Sequence, residues 1–145
     1  MKISTKGRYG LRAILDIAIN SEGESITLKS IADRQGISET YLEQLIPSLK
    51  KAGLVKSVRG AQGGYLLAHP ANEISVGQIL RALEGSMAPV ACIDNTEICG
   101  AKDACVSRMV WDKIQDSINN TIDAITLLDL VLEYKENNYK GRCNL

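Results

Sequence analysis

The chain has 145 residues, enough for one domain with a sizeable core, or one such domain with an appendage. Its 17 Lys and Arg residues balance its 17 Asp and Glu residues, and a net charge of zero argues by itself against nucleic acid as a partner. The sequence has neither a signal peptide nor an apolar run long enough to cross a membrane, which predicts a soluble, cytoplasmic protein without a membrane partner.

The distribution of charge gives a different indication from its sum. Residues 1–69 contain ten Lys and Arg against six Asp and Glu, whereas residues 70–145 contain seven against eleven. A basic half of this kind is the electrostatic footprint expected of a segment that contacts nucleic acid.

Apolar residues at helical spacing predict a first helix over roughly residues 8–20. Lys6 and Arg8 stand at its amino end, where free backbone amides and the helix dipole attract phosphate. We expect this helix to pack behind the segment that follows. Its apolar stripe consists of Leu11, Ile14, Leu15 and Ala18.

Two short helices joined by a tight turn are predicted next. Thr27 is a suitable N-cap for a helix over residues 28–35, and Gly36 ends it because glycine adopts the left-handed backbone at no steric cost. The second helix begins at Ser38, or two residues later, where Thr40 starts a capping box. Such a pair is typical of the helix-turn-helix, whose second helix enters the major groove of DNA.

The second helix has an apolar face for the core and a polar face outward. On the polar face, Glu43 is able to accept from N4 of cytosine, and Gln44 to pair twice with adenine. An acidic side chain penalises DNA sites that offer it no donor, so we expect Glu43 to confer specificity. Pro47 predicts a bend, or a loss of helical geometry at Ile46. The apolar face consists of Tyr41, Leu42, Leu45, Ile46 and Leu49.

Two β-prone runs, residues 54–59 and 65–68, enclose the glycine-rich loop 60–64. This pattern predicts a β-hairpin with a flexible tip, a wing. Arg59 at its base is placed to reach a phosphate or to enter a narrow minor groove. A helix-turn-helix followed directly by a hairpin indicates DNA binding more specifically than either element alone.

Beyond the hairpin, Ser75 is predicted to cap a short helix that runs through Glu84 and ends at Gly85. Residues 86–104 have little periodicity, and helix resumes from about residue 103. A further short helix starts near Thr126. The long helix carries an apolar stripe of Val106, Val110, Trp111, Ile114, Ile118, Ile122 and Ile125.

Little of the chain is left to cover this stripe. Its economical partner is the same helix of a second copy, which predicts a two-fold homodimer. Such a dimer presents two recognition helices about one DNA turn (~34 Å) apart and reads an imperfect palindrome in double-stranded DNA. The alternative is an intramolecular core helix.

The predicted fold is mostly α, a winged helix-turn-helix domain with a long C-terminal dimerisation helix. The DNA-binding domain spans residues 1–84 and a cysteine-bearing loop spans 85–105. Dimerisation helices follow over 106–136, and 137–145 form a polar tail.

Three cysteines, Cys92, Cys99 and Cys105, lie close together in the sequence. Their spacing fits neither zinc knuckles nor the common ferredoxin patterns. By pattern alone, an iron–sulfur site, a zinc site and redox-active thiols remain open. Cys143 lies in the polar tail and is set aside.

As a set, these segments resemble the Rrf family of bacterial winged-helix regulators. The resemblance covers nearly the whole chain and is carried by residues 6–9, 41–45, 53–55, 57–60 and 63–67, the three-cysteine loop and the helix after it. It implies a homodimeric repressor or other regulator of transcription that binds promoter DNA. The implied DNA contacts are Ser38, Thr40, Glu43, Gln44 and Arg59. The further residues that we predict at the DNA interface are Lys6, Arg8, Tyr41, Gly60, Gly63, Gly64 and Tyr65.

The resemblance also implies that the three loop cysteines hold a [2Fe-2S] cluster that senses iron–sulfur or redox status and controls iron–sulfur biogenesis or related genes. The chain departs from the family at the fourth ligand. One branch has a histidine three residues after the last cysteine, where this chain has Arg108. Another borrows an aspartate near position eight from the partner subunit, where this chain has Arg8. The remaining candidates are Asp94, Glu97, Asp103 and, less favourably, Asn95.

Two other functions stay open. The chain could repress cysteine or sulfur metabolism, or respond to nitric oxide, through a metabolite, a protein partner or a [4Fe-4S] cluster. A thiol redox enzyme is the remote alternative, but no nucleophile–base pair or phosphate loop stands out, so we expect no enzyme.

Overall fold

A computed structural model of the protein describes residues 2–137. Cys143 and the rest of the predicted tail beyond residue 137 lie outside this range. Short 3-10 turns occur at Ala71–Glu73 and Thr96–Ile98. The helices and strands of the described range are α1 Thr5–Asn20, α2 Leu28–Gln35, α3 Glu39–Lys51, β1 Val55–Val58, β2 Gly64–Leu67, α4 Val76–Glu84, α5 Ala91–Asp94, α6 Arg108–Ala124 and α7 Leu127–Glu136.

Side-chain oxygens cap the amino ends of five of these helices. Each accepts a hydrogen bond from an amide of the first turn, which has no partner within the helix itself. The helix starts predicted at Thr27, Ser75 and Thr126 are confirmed. Helix α1 begins earlier than predicted, because the Ser4 hydroxyl accepts from the Gly7 amide at 3.2 Å. The five caps are Ser4, Thr27, Ser38, Ser75 and Thr126.

Helices α2 and α3 form the helix-turn-helix. Gly36 ends α2 with the left-handed dihedrals φ 64° and ψ 37°, as predicted. The Ser38 hydroxyl accepts from the Tyr41 amide at 3.1 Å, which decides between the two predicted starts of α3. Helix α3 continues through Pro47, so the predicted loss of helical geometry at Ile46 does not occur. Ile46 is 1 % exposed, and its burial favours the helical path past the proline.

The hairpin pairs β1 with β2 in antiparallel register, with Val55 opposite Leu67 and Ser57 opposite Tyr65. Strand β2 begins at Gly64, one residue earlier than predicted. Ile26 adds a third row, since its N–H and C=O exchange hydrogen bonds with Tyr65 at 2.9 and 2.8 Å. This bridge joins the hairpin to the segment before α2. The wing is therefore attached to the helix-turn-helix both by this bridge and by the chain that leads from α3 into β1.

The main core lies between α1, the helix-turn-helix and α4. Helix α7 returns to it, since Leu127 is fully buried in this core although the sequence groups it with the dimerisation helices. A smaller cluster of Val76, Leu80 and Met87 lies beneath the end of α6. The main core consists of Ala13, Ile14, Ile17, Ile31, Ile37, Leu42, Leu45, Ile46, Leu49, Leu54, Val55, Ile74, Ile79, Leu83 and Leu127.

Among residues 2–137, no helix combines the length and the apolar character that a membrane span requires. The longest, α6, has 17 residues and carries charged side chains along its length.

Candidate nucleic-acid interface and cysteine segment

Helix α3 separates its apolar face from its polar face completely. Leu42, Leu45, Ile46 and Leu49 are at most 1 % exposed. The opposite face carries exposed side chains, and within the described range those of Glu43 and Gln44 have no hydrogen-bond or salt-bridge partner. This face is therefore available to an external partner with donors and acceptors. Its exposed members are Ser38, Glu39, Thr40, Glu43, Gln44 and Pro47.

Pro47 leaves one backbone carbonyl of this face without its helical hydrogen bond. Because proline has no N–H, the carbonyl of Glu43 loses its partner one turn later in the helix. Both residues are exposed, so this carbonyl lies on the polar face. The two side chains at the start of α3 have local roles as well. The Ser38 hydroxyl caps the helix, and Tyr41 is half-buried with its ring edge-on to Tyr9 at 5.8 Å.

Arg59 is exposed and directly follows β1, the strand that contacts α3. Lys50 of α3 donates to the Ser57 hydroxyl of β1 at 2.9 Å, which links the recognition helix to the hairpin that carries Arg59. The helix and the wing can therefore act on one surface.

The glycines of the wing have backbone reasons for their identity. Gly60 adopts φ 117°, a conformation that L side chains rarely take. A Cβ at Gly63 would lie 2.6 Å from the Val58 carbonyl oxygen, and one at Gly64 would collide with the backbone of Ile26. Tyr65 packs against the main core. These contacts account for the four residues without DNA, and their contact with DNA stays a prediction.

The amino end of α1 differs from the predicted phosphate site. The Glu84 carboxylate accepts from the Ser4 amide at 3.0 Å and from the Ser4 hydroxyl at 2.6 Å. A Cβ at Gly7 would collide with this carboxylate. Negative charge supplied by the protein thus already occupies the position where the helix dipole favours an anion. Any phosphate contact here depends on the Lys6 and Arg8 side chains rather than on the helix end.

A buried carboxylate fixes the helix-turn-helix against α1. Asp16 is 1 % exposed, and Arg34 donates to its two oxygens with bonds of 2.6 to 3.2 Å. Gln35 donates to the same carboxylate at 2.9 Å, and Arg12 donates to the Gln35 side chain at 3.2 Å. The hydrogen bond to Asp16 raises the pKa of Arg34, which keeps the guanidinium charged. The sequence did not predict this network, although an aspartate amid the apolar residues of α1 is a usable signal for a buried polar contact.

The cysteine segment contains more structure than predicted. Cys92 lies in α5, Cys99 follows a 3-10 turn, and Cys105 precedes α6 by three residues. The helix predicted from about residue 103 starts at Arg108. All three thiols are free and half-buried. Among residues 2–137, no three His, Cys, Asp or Glu side chains are gathered closely enough to hold a metal ion.

Arg108, three residues after Cys105, connects this segment to α6. Its guanidinium donates to the Cys92 carbonyl at 3.2 Å and lies 3.7 Å from the Asp112 carboxylate. The Cys105 sulfur and the Ser107 hydroxyl are 3.3 Å apart, and this hydrogen bond lowers the pKa of the Cys105 thiol. By the chemistry of its donors, the segment fits a group held by thiolates. Its described arrangement keeps the three sulfurs apart, so binding such a group requires the segment to close.

Helix α6 has no buried residue in the single chain. Its amino half exposes large apolar side chains, with Met109 at 58 %, Val110 at 45 % and Ile114 at 38 %, and Val106 just before the helix is 84 % exposed. Toward its carboxyl end, Ile122 and Ile125 pack against the cluster of Val76, Leu80 and Met87. Only this end of the predicted stripe is therefore covered by the described chain.

Comparison with known proteins decides the family. The sequence pattern of the Rrf2 family, described as iron-dependent transcriptional regulators, matches residues 3–133. The chain belongs to the Rrf2 family. It is 44 % identical over 131 residues to the HTH-type transcriptional regulator IscR of Pectobacterium atrosepticum, a match that covers 90 % of this chain and 79 % of that protein.

Solved structures of Rrf2 proteins share the fold. T. potens IscR superposes with a TM-score of 0.78 at 46 % identity, covering 97 % of this chain and 93 % of the other. CymR of B. subtilis, titled its global cysteine regulator, superposes with a TM-score of 0.76 at 41 % identity, covering 92 % and 98 %. The predicted mostly helical winged-helix fold and the family resemblance are confirmed. As an IscR-like Rrf2 protein, the chain is a DNA-binding transcriptional regulator rather than an enzyme.

Proposed function

We propose that this regulator is a homodimer that reads an imperfect palindrome in promoter DNA with α3 of each copy, under the control of a [2Fe-2S] cluster held by Cys92, Cys99 and Cys105. The observation that carries the proposal is the division of α3. Its apolar face is fully used by the core, while its polar face has no partner in the described chain and lies beside the hairpin that bears Arg59.

Four exposed side chains at the start and on the polar face of α3 have matching groups on DNA. The Glu43 carboxylate accepts from the N4 amino group of cytosine, and the Gln44 amide pairs with N6 and N7 of adenine. The Ser38 and Thr40 hydroxyls, at the start of the helix, are able to donate to base edges or phosphates. Arg59 supplies positive charge to the backbone or to a narrow minor groove. Glu43 therefore selects sites, and Arg59 adds affinity to all of them.

The exposed stripe of α6 supports the homodimer. A helix whose apolar face is left open at one end of a chain is most simply covered by the equivalent face of a second copy, which closes a two-fold assembly. This pairing sets two α3 helices about one DNA turn (~34 Å) apart, as palindromic half-sites require. The two halves of the chain carry equal and opposite net charges, which favours contact between the basic half and the DNA.

The cysteine segment supports control through a thiolate-held group. A [2Fe-2S] cluster, when bound, would supply a redox-active group that connects all three thiolates, whereas a disulfide connects only two cysteines. The lowered pKa of Cys105 favours its thiolate form. Arg108 is no ligand, but through the Cys92 carbonyl it transmits a closure of the segment to the start of α6.

The deciding experiment is anaerobic purification followed by visible spectroscopy and assays of iron and sulfide. We expect iron and sulfide in a 1:1 ratio, and loss of both in Cys92→Ala, Cys99→Ala and Cys105→Ala. Cys143→Ala, a cysteine outside the described residues, is the matched control and should retain them. Zinc in place of iron, or equal cluster content in all four variants, would contradict the cluster proposal.

The likeness to B. subtilis CymR favours a second candidate, a repressor of cysteine metabolism that answers to a metabolite or a protein partner. Under this alternative the cysteines are structural and the metal-free protein binds its operators fully. Titration of the metal-free dimer with operator DNA, with and without sulfur metabolites, separates the two candidates.

A further inference from the structure

One polar contact ties α6 to α4 apart from the surfaces described above. The Arg81 guanidinium donates to both oxygens of the Asp123 carboxylate, at 2.7 and 2.9 Å, and also to the Asn119 side-chain oxygen at 2.9 Å. A planar fork that meets a carboxylate in two places fixes direction better than a single ion pair. We call Arg81, Asn119 and Asp123 the Arg81 clamp.

Both helices are shaped for this contact. On α4, Gly77 lies one turn before Arg81 on the same face, and a Cβ there would collide with the Asp123 carboxylate. On α6, Asn119 and Asp123 are likewise one turn apart. The glycine thus leaves the space into which the acidic side chain reaches. Arg81 and Asp123 are 38 % and 47 % exposed, so the clamp adds little to the stability of the fold.

The clamp lies near the carboxyl end of α6, so a small change of angle there moves the amino end of the helix by a larger distance. Helix α6 has 17 residues, about 25 Å in length. A backbone bridge holds the end of this helix, since the Val76 amide donates to the Ile125 carbonyl and the Leu127 amide to the Ile74 carbonyl, both at 2.8 Å. The bridge fixes where α6 ends, and the clamp adds a directional contact to the apolar packing of Ile122 and Ile125, so that both constrain the angle of the helix. A change of roughly 10° at this end displaces the other end by about 4 Å.

The clamp also determines where the apolar stripe points. Nine residues separate Ile114 from Asp123, which is a rotation of about 180° on an α-helix. Asp123 faces its own α4, so the exposed Ile114 faces away from it, toward the position of a second copy. The relative orientation of two DNA-binding halves in a dimer joined through α6 therefore depends on this contact.

We propose that the Arg81 clamp sets the tilt of α6 against its own DNA-binding half and thereby determines which spacing between half-sites the dimer accepts. The inference rests on the homodimer and the palindromic operator of the proposed function. Arg81 is a positioning residue, because it acts on DNA recognition through α6 and lies on neither α3 nor the wing.

The test uses full-length protein and an operator selected from a random duplex pool, resynthesised with its central spacer one base pair longer or shorter. Affinities for the three duplexes define a spacing preference at fixed salt. We expect Arg81→Met and Asp123→Asn each to reduce this preference roughly three- to tenfold, the usual coupling between contacting side chains. The double variant should match the single variants, because the two groups act as one unit.

Asp116→Asn is the matched control. It removes the same charge about two turns before Asp123 on the same face of α6, and should keep the wild-type preference. Arg81→Lys keeps the charge but loses the fork, and should fall between wild type and Arg81→Met. The inference is overturned if the clamp variants retain the wild-type preference, if their effects add in the double variant, or if they lower only the melting temperature.

A measurement without DNA separates failure of the clamp from failure of the proposed function. If wild-type protein shows no spacing preference, the palindromic dimer is wrong, and hydrogen exchange then decides the clamp. Arg81→Met should speed exchange in residues 119–126 and leave α3 unchanged. Exchange equal to that of wild type throughout residues 119–126 overturns the clamp whatever the DNA results are.

Discussion

Helices α3 and α6 are both amphipathic, but their apolar faces meet different environments. The four apolar residues that face the core from α3 are at most 1 % exposed, and they contact α1 and the first strand of the hairpin. Helix α6 is longer and buries no residue completely. The place of α3 is thus determined within one chain, whereas α6 presents an apolar surface that the described chain leaves exposed. In α3 the core covers the apolar face and the polar face is exposed, whereas in the amino half of α6 the apolar face itself is exposed.

The largest effect on stability is expected from removing core packing from α3. Leu45→Ala should lower the free energy of unfolding by about 2–5 kcal/mol, because Leu45 is 1 % exposed and its loss leaves a cavity. Urea denaturation of the dilute protein measures it. The matched change Ile114→Ala, at a residue 38 % exposed, should cost far less. Equal losses at the two positions would contradict the division between the helices.

A charge on the open face of α6 should separate the subunits without unfolding them. Ile114→Asp should raise the dimer dissociation constant roughly 100-fold, since an unpaired carboxylate is costly in an apolar interface. Sedimentation equilibrium measures this constant, and circular dichroism checks the fold. Asn120→Asp, which adds the same charge away from the stripe, is the control. An unchanged dimer in Ile114→Asp would mean that this face is covered in another way.

On the polar face of α3, Glu43→Ala should relax discrimination between operators by about 1–3 kcal/mol at one base position. The carboxylate penalises sites without a donor, so its removal should strengthen binding to poor sites. Competition binding on a panel of operators with single changes measures the effect. Glu39→Ala, an exposed acidic residue in the first turn of the same helix, is the control. Wild-type preferences in Glu43→Ala would show that this side chain reads no base.

The wing should contribute affinity with little selectivity. Arg59→Ala should weaken binding to all operators and lower the slope of log K against log salt by about 0.9, the value for one phosphate contact. Titrations at several salt concentrations measure that slope, with Lys56→Ala on β1 as control. A loss confined to one sequence class would instead indicate that Arg59 reads a base or a groove width.

The smallest expected effect lies just before α6. The Ser107 hydroxyl lowers the pKa of Cys105, so Ser107→Ala should raise this pKa and shift the alkylation of Cys105 to higher pH. Mass spectrometry of metal-free protein treated with iodoacetamide over a pH series measures the shift. Thr121→Ala, which removes another hydroxyl from α6, should leave the profile unchanged. An identical profile in Ser107→Ala would show that the hydroxyl does not govern the thiol.

Elements that depend on local signals were predicted well. Gly36 requires a left-handed backbone and Thr27, Ser75 and Thr126 cap their own first turns, so these boundaries need only neighbouring residues. Pro47 misled the prediction because the burial of Ile46, a tertiary effect, outweighs the local preference of a residue before proline. The start of α6 was placed too early because apolar periodicity began before the helix did.

In the candidate site too, the residues with a local signal were predicted and the contacts between distant residues were not. Periodicity identified the outward residues of α3, and their exposure follows from the burial of the other face. The Asp16 network, the occupation of the amino end of α1 by Glu84 and the Arg81 clamp were missed, because each joins residues far apart in the sequence. The periodicity of a sequence does not show which charged side chains of two different helices are in contact.

The winged-helix class and the outward face of α3 could be predicted from the sequence alone, because helical periodicity, caps and glycine turns act within a few residues. Which charged side chains form ion pairs, and which apolar surface stays exposed, could be seen only in the tertiary structure. These outcomes depend on the packing of whole helices, which brings Asp123 to Arg81 and leaves Ile114 uncovered.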